Sequence, residues 1–85
     1  MSRLVLYSGP ECSLCDKAQA LIARLADELQ FDWEVRAIAD TPELYARYRE
    51  RIPVVAIDGR IVLTGKITEF WLRKALRGED LSRIP

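Results

Sequence analysis

The sequence predicts an α/β fold with seven elements in the order β-α-β-α-β-β-α. Short apolar runs typical of strands alternate with segments whose apolar residues recur at helical spacing, beginning with a change of period at Cys12. Helical crossovers between the early strands favour parallel pairing. Asp58-Gly59, between two apolar runs, predicts a hairpin and therefore an antiparallel pair late in the chain.

Two strands and a long helix are predicted first. Residues 3–7 form an apolar run expected to be buried on both faces, and residues 31–38 alternate apolar and charged side chains, which indicates a strand with one wet face. Between them lies a helix of about four to five turns that begins at Cys12. Its expected inward stripe comprises Leu14, Ala18, Leu21, Ile22, Leu25 and Leu29.

A short second helix follows. Thr41 suits its N-cap, and Pro42 suits its first position because the missing N–H is not needed there. We expect this helix to reach about Arg49, with Leu44 and Tyr48 pointing inward.

The last third of the chain predicts a hairpin and a final helix. Residues 54–57 form a buried strand, and residues 61–64 pair with it across Asp58-Gly59. The last helix closes near Gly78, and we expect the tail, residues 79–85, to be loosely held. The inward face of this helix comprises Ile67, Phe70, Trp71, Ala75 and Leu76, and the aromatic residues Trp33, Phe70 and Trp71 are assigned to the core or its rim.

Composition limits the function classes. The 85 residues are enough for one small domain, residues 1–85. Thirteen basic residues balance thirteen acidic ones, which argues against a partner such as nucleic acid or a membrane surface. The chain has neither an apolar run of about 18 residues nor a signal-peptide pattern, so we expect a cytoplasmic protein, and we expect a monomer.

Both cysteines lie where the first strand pattern gives way to the helix, in Ser8-Gly9-Pro10-Glu11-Cys12-Ser13-Leu14-Cys15. A helix N-terminus supplies free N–H groups and positive dipole charge, which favour the thiolate, the reactive form of cysteine. Cys12 is therefore the predicted nucleophile. Cys15 is one turn further on, within disulfide reach and more buried, and it is expected to resolve the mixed disulfide.

Other interpretations of this pair remain open. Two ordinary buried cysteines are the simplest, although a Cys-x-x-Cys in a reducing compartment favours redox chemistry. A binding or redox-sensor module is a second, because Glu11 and Asp16 place negative charge beside Cys12. A metal or iron–sulfur carrier is the third, but one Cys-x-x-Cys and no histidine supply only two of four ligands, so no metal is predicted.

The pair after the first strand, with a proline opening the third, resembles the glutaredoxin type of thioredoxin-like fold, and in particular the short bacterial glutaredoxin-like proteins. The resemblance covers residues 3–77 and rests on Gly-Pro-Glu-Cys-Ser-Leu-Cys-Asp-Lys-Ala, Arg-Ile-Pro-Val-Val and Asp-Gly-Arg-Ile-Val. It implies a four-stranded mixed sheet flanked by three helices. It also implies a thiol–disulfide oxidoreductase that reduces protein or mixed disulfides.

The resemblance also implies a second set of site residues. The proline matching Pro53 is cis in this fold and faces the cysteine pair, so the backbone of Ile52 would pair with an incoming peptide or with glutathione. The lysine that usually precedes the first cysteine is missing, and only Gly65 matches the usual Gly-Gly. Arg47, Arg51 and Lys66 are therefore the candidate carboxylate partners, with a solvated helix end as the alternative interpretation of Arg47 and Arg51. No cofactor is predicted, and the expected partner is a disulfide-containing protein or glutathione as co-substrate.

Overall fold

The computed structural model describes residues 3–78, and the predicted order of strands and α-helices is present there. The elements are β1 (Arg3–Ser8), α1 (Ser13–Leu29), β2 (Asp32–Ala37), α2 (Pro42–Tyr48), β3 (Val54–Ile57), β4 (Arg60–Thr64) and α3 (Glu69–Leu76). The second strand is shorter than the predicted residues 31–38, because Ile38 belongs to a short 3-10 turn, Ile38–Asp40. The tail, residues 79–85, lies outside the described residues.

The four strands form one mixed sheet in the order β2-β1-β3-β4. As predicted, β1 and β2 are parallel and β3 and β4 are antiparallel, but β3 also runs antiparallel to β1. The connection from β2 to β3 through α2 therefore leads to an antiparallel strand and not to a parallel one. Its helix has seven residues and spans about 10 Å, whereas a six-residue strand such as β2 spans about 20 Å, so the chain re-enters the sheet at the edge where it left.

This topology gathers four chain segments at one edge of the sheet, which we call the site edge. Ser8 at the end of β1 pairs with Ala37 at the end of β2, and Tyr7 pairs with Val54 at the start of β3. Val54 in turn pairs with Thr64 at the end of β4. Everything that directly follows β1 or β4, or directly precedes β3, therefore lies at the site edge.

The larger core lies between the sheet and the two helices α1 and α3. Its nine buried residues are Leu4, Leu6, Ala18, Ile22, Leu25, Val55, Ile57, Leu72 and Ala75. The inward stripe predicted for α1 is confirmed in its centre but is wrong at both ends, where Leu14 and Leu29 are exposed, and Ala26 is buried although it was not part of the stripe. The sheet is shorter than the helix of 17 residues, so it covers only the middle of the predicted stripe.

A smaller core lies on the opposite face under α2. Ile38, Tyr48 and Val54 are buried there, and Tyr7, Leu44 and Ile52 pack around them. The expectation that β1 is buried on both faces is therefore only half right, because Val5 and Tyr7 on this face are half-buried. One short helix cannot cover a whole sheet face.

Two further predictions are wrong. Phe70 was assigned to the core or its rim but is 60% exposed, with the Lys74 ammonium 5.0 Å from the centre of its ring. Thr41 is the N-cap of α2 by position, but its side chain accepts no capping hydrogen bond.

No helix among the described residues is long and apolar enough to cross a membrane.

Candidate active site

The helix N-terminus holds the first cysteine as its cap. Cys12 is the N-cap residue of α1, with extended backbone angles (φ −120°, ψ 98°). Its Sγ accepts a hydrogen bond from the N–H of Cys15 at 3.1 Å, and its carbonyl oxygen accepts one from the N–H of Asp16 at 3.2 Å. Sulfur thus takes the place that a serine or aspartate oxygen normally fills at an N-cap. Such a donor stabilises negative charge on the sulfur when the thiol is free.

The two sulfurs form a disulfide, and they differ sharply in accessibility. The Cα atoms of Cys12 and Cys15 are 5.2 Å apart, within the usual range for a bridged pair. Cys12 is partly exposed, whereas Cys15 is 2% exposed and lies against the core. The predicted difference in burial is confirmed, since Cys12 is the more exposed residue of the pair.

The loop before the pair packs closely against the chain before β3. A Cβ placed on Gly9 would lie 2.8 Å from Cδ1 of Ile52, so a larger residue at position 9 would force the Ile52 side chain to move. Glu11 adopts a left-handed backbone conformation (φ 54°) and turns the chain into Cys12. No local pattern in the sequence predicts this contact, because Gly9 and Ile52 are 43 positions apart in the chain.

The Ile52–Pro53 peptide bond is cis, as the resemblance implies, and Pro53 is buried. The backbone of Ile52 was expected to pair with a ligand, but its N–H already donates to the carbonyl oxygen of Tyr48 at 3.1 Å. The N–H of Arg51 donates to the same oxygen at 2.8 Å, because this oxygen is an unpaired acceptor at the end of α2. No described residue donates a hydrogen bond to the Ile52 carbonyl oxygen, which is left as an acceptor.

The chain after β4 is joined to this segment by one donor. The N–H of Gly65 donates to the carbonyl oxygens of Arg51 (3.2 Å) and Pro53 (2.9 Å). Gly65 has a positive φ of 75°, which explains the glycine, since a Cβ there would meet no atom. The structure therefore brings together Arg51, Ile52, Pro53 and Gly65, with Lys66 next in the chain, beside the loop that ends at Cys12.

The side chains of this segment differ in exposure. Arg51 and Lys66 are exposed, and neither forms an ion pair with another described residue. Ile52 is half-buried and packs against the smaller core. Within residues 3–78, no group of three or more His, Cys, Asp or Glu side chains is placed to hold a metal ion.

Three features define the class of thioredoxin-fold proteins, and this structure has all of them. They are a mixed sheet in this strand order, a Cys-x-x-Cys disulfide at the start of the first helix, and a cis-proline before the third strand. The chain belongs to one family within it, the glutaredoxin-like domain family (DUF836), whose model matches residues 3–77.

Individual relatives agree with this assignment. The chain is 34% identical over 73 residues to the uncharacterized protein Rv0508 of Mycobacterium tuberculosis, and the match covers 80% of this chain and 75% of that protein. Among solved structures, the target protein XcR50 from X. campestris has a TM-score of 0.75 at 28% identity, covering 91% of this chain and 99% of that one. The oxidized mitochondrial thioredoxin 3 of Saccharomyces cerevisiae shares the fold, with a TM-score of 0.68 at 13% identity over 91% of this chain and 77% of that one. Family, fold and the Cys12–Cys15 pair together support thiol–disulfide redox function in general terms.

Proposed function

We propose that this protein is a thiol–disulfide oxidoreductase that reduces protein or mixed disulfides, with Cys12 as nucleophile and Cys15 as resolving thiol. The observation that carries the proposal is the asymmetry of the pair. Cys12 is accessible and accepts an N–H hydrogen bond at a helix N-terminus, whereas Cys15 is buried one turn further on. This is the arrangement that dithiol exchange needs, because one sulfur must meet the substrate and the other must wait behind it.

The reaction proceeds in two exchanges from the reduced pair. The Cys12 thiolate attacks one sulfur of the substrate disulfide, which forms a mixed disulfide and expels the other substrate sulfur as a thiolate. Cys15 then loses its proton and attacks Sγ of Cys12, which releases the second substrate thiolate and forms the Cys12–Cys15 disulfide. Two electrons pass to the substrate, so an external thiol or dithiol must reduce the pair again. No resident cofactor takes part.

The segment before β3 and the residues after β4 are the proposed substrate-binding surface. The free carbonyl oxygen of Ile52 can accept a hydrogen bond from a substrate backbone N–H, and Pro53 lies next to it. Arg51 and Lys66 are proposed to hold a substrate carboxylate beside Gly65, whether it belongs to a protein or to glutathione acting as co-substrate. We further propose that the protein acts as a monomer in the cytoplasm.

A pair of cysteine variants tests the mechanism. Cys12→Ser is expected to reduce a disulfide substrate no faster than the uncatalysed reaction, since serine is no nucleophile toward sulfur at neutral pH. Cys15→Ser should instead accumulate a mixed disulfide between Cys12 and the substrate, visible by intact mass. A Cys12→Ser protein that retains the original rate would exclude the mechanism.

A redox sensor with little turnover is the second candidate. It is favoured by one observation, the exposed carboxylates of Glu11 and Asp16 on either side of the pair, which disfavour the thiolate. Alkylation of the reduced protein against pH distinguishes the two candidates. A Cys12 pKa below the free value of about 8.5 supports the oxidoreductase, and a pKa at or above it supports the sensor.

A further inference from the structure

The charged side chains at the site edge are separated by sign. Glu11 lies in the loop after β1, immediately before Cys12, and Asp16 lies in the first turn of α1. Both are exposed, and neither forms an ion pair with another described residue. The Cys12–Cys15 segment is therefore flanked in the chain by two carboxylates that no described cation compensates.

The opposite side of the site edge is cationic. Arg51 precedes β3 and Lys66 follows β4, and the hydrogen bond from the Gly65 N–H to the Arg51 carbonyl oxygen, at 3.2 Å, holds the two segments together. Neither cation is paired within the described residues, whereas Arg3, Arg24, Arg36 and Arg73 all form ion pairs elsewhere. Because the strand order places β1 next to β3 and β3 next to β4, the segment that carries Glu11 lies beside the segments that carry Arg51 and Lys66.

Neighbouring charges weaken this separation without reversing it. Lys17 follows Asp16 on the anionic side, where the two carboxylates outnumber it. On the cationic side, Glu50 lies between Arg49 and Arg51. These two arginines and Lys66 give three cations against one carboxylate. All of these side chains are exposed. The site edge therefore carries net negative charge in residues 11–17 and net positive charge in residues 49–51 together with Lys66.

By themselves, the carboxylates beside Cys12 hinder its attack on a disulfide, because negative charge nearby disfavours the thiolate form of Cys12. They are useful, however, if the substrate carries positive charge there. Charges of opposite sign on two sides of a reactive atom attract a complementary substrate, raise its association rate and fix its orientation, more than they add affinity.

We propose that the substrate of this site is a polypeptide segment whose reactive cysteine lies between basic residues on one side and acidic residues on the other. The basic side meets Glu11 and Asp16, and the acidic side meets Arg51 and Lys66. The proposal rests on the oxidoreductase function above and adds the chemical character of the substrate. Such a segment is held in one chain direction, so a peptide with the same composition in reverse order is a poor substrate.

Three synthetic peptides test this, each carrying its single cysteine as a mixed disulfide with a chromogenic aromatic thiol. One has two lysines before the cysteine and two aspartates after it, the second has the reverse order, and the third has neutral serines and glycines. Attack of Cys12 on the peptide sulfur releases the aromatic thiolate, so its absorbance reports the rate. At low salt we expect the reaction rates of the two charged peptides to differ about tenfold. This difference in rate should vanish at about 1 M salt.

A charge-swapped variant provides the decisive comparison. Glu11→Lys combined with Arg51→Glu should invert the preference between the two charged peptides, with each rate expressed relative to that of the neutral peptide for the same variant. Asp32→Lys combined with Arg60→Glu is the matched control, since both residues are exposed at the opposite end of the sheet, and it should keep the original preference. Circular dichroism of the oxidised proteins checks that every variant folds.

The outcomes separate this inference from the proposed function. If the reduced protein releases no aromatic thiolate from any peptide, the oxidoreductase function itself is wrong. If all three peptides react at the same rate, or if the swapped variant and the control keep the same preference, the oxidoreductase function stands and the dipolar substrate is overturned. Acceleration of both charged peptides alike would also overturn it, because it would show no orientation.

Discussion

The two faces of the sheet are stabilised in different ways. On the face covered by α1 and α3, nine buried residues form one core, and charged side chains connect the two helices. The Arg73 guanidinium donates to both oxygens of Glu28, at 2.7 and 3.0 Å, and to Glu69 at 2.8 Å. Glu69 also accepts a hydrogen bond from Arg24. Core and ion pairs together hold the helix that begins at the disulfide.

The face covered by α2 is thinner. Three buried residues form its core, and the helix above them has seven residues and no side-chain cap. The guanidinium of Arg47 lies over the ring of Tyr48, 5.9 Å from its centre, and the ring of Tyr48 lies 5.1 Å from that of Tyr7. This face carries the segment that leads to Pro53. The difference indicates that Cys12, the proposed nucleophile, sits on the well-packed face and the proposed substrate-binding segment on the more easily deformed one.

The largest expected effect compares one isoleucine from each core. Ile22 in the larger core and Ile38 in the smaller one are both fully buried, so the substitutions Ile22→Ala and Ile38→Ala remove the same atoms. We expect Ile22→Ala to lower the free energy of unfolding by about 3–5 kcal/mol and Ile38→Ala by about 2–3 kcal/mol, because a thin layer collapses more readily around a cavity. Urea unfolding of both variants measures this. Equal losses would contradict the proposed difference between the faces.

A smaller effect compares two threonine N-caps. The side chain of Thr68 accepts a hydrogen bond from the N–H of Trp71 at 3.4 Å at the start of α3, whereas that of Thr41 accepts none at the start of α2. Thr68→Ala should therefore destabilise the protein by about 1 kcal/mol, and Thr41→Ala by less than about 0.5 kcal/mol. Thermal and urea unfolding distinguish them. A larger loss at Thr41 would mean that its hydroxyl caps α2 in solution.

The smallest effect is a dependence of stability on pH. The hydrogen bond from Arg73 lowers the pKa of Glu28, and those from Arg24 and Arg73 lower the pKa of Glu69. A lowered carboxyl pKa contributes stability above the ordinary glutamate value of about 4.3, and this contribution is lost as the pH falls through the folded-state pKa. We therefore expect Arg73→Met to reduce stability near neutral pH and to differ little from the wild type in acid.

Arg47→Met is the matched control for that experiment, because Arg47 contacts an uncharged ring instead of a carboxylate. Its small cost should stay constant over the pH range in which Glu28 and Glu69 titrate. Urea midpoints measured from about pH 7 to about pH 3 follow both variants. If the two curves are parallel, the ion pairs between α1 and α3 contribute nothing measurable in solution.

Much of the fold was predictable because its signals are local. The helical period of α1, the Asp58-Gly59 turn and the glycine near the end of α3 each depend on neighbours a few residues away, and all three are present. The wrong predictions concern burial and hydrogen bonding at the ends of elements. Phe70 and Leu14 fit a helical period, but exposure depends on how far the sheet extends beneath each helix.

The site was predictable in part for the same reason. Cys12 and Cys15 share a helix turn, so their disulfide reach and their difference in burial follow from spacing. The hydrogen bond from the Ile52 N–H to Tyr48 was not foreseen, because it depends on how α2 ends against the segment before Pro53.

The sequence by itself determined the order of elements and the placement of a cysteine pair where the first strand meets the first helix, since periodicity, caps and turns act over a few residues. Only the tertiary structure decided that Gly9 packs against Ile52, that the Gly65 N–H joins Arg51 to Pro53, and that the segment carrying Glu11 lies beside the segment carrying Arg51. These contacts join residues far apart in the chain. They exist only because burial of the two cores selects one strand order, which brings one end of each of the four strands to the same edge of the sheet.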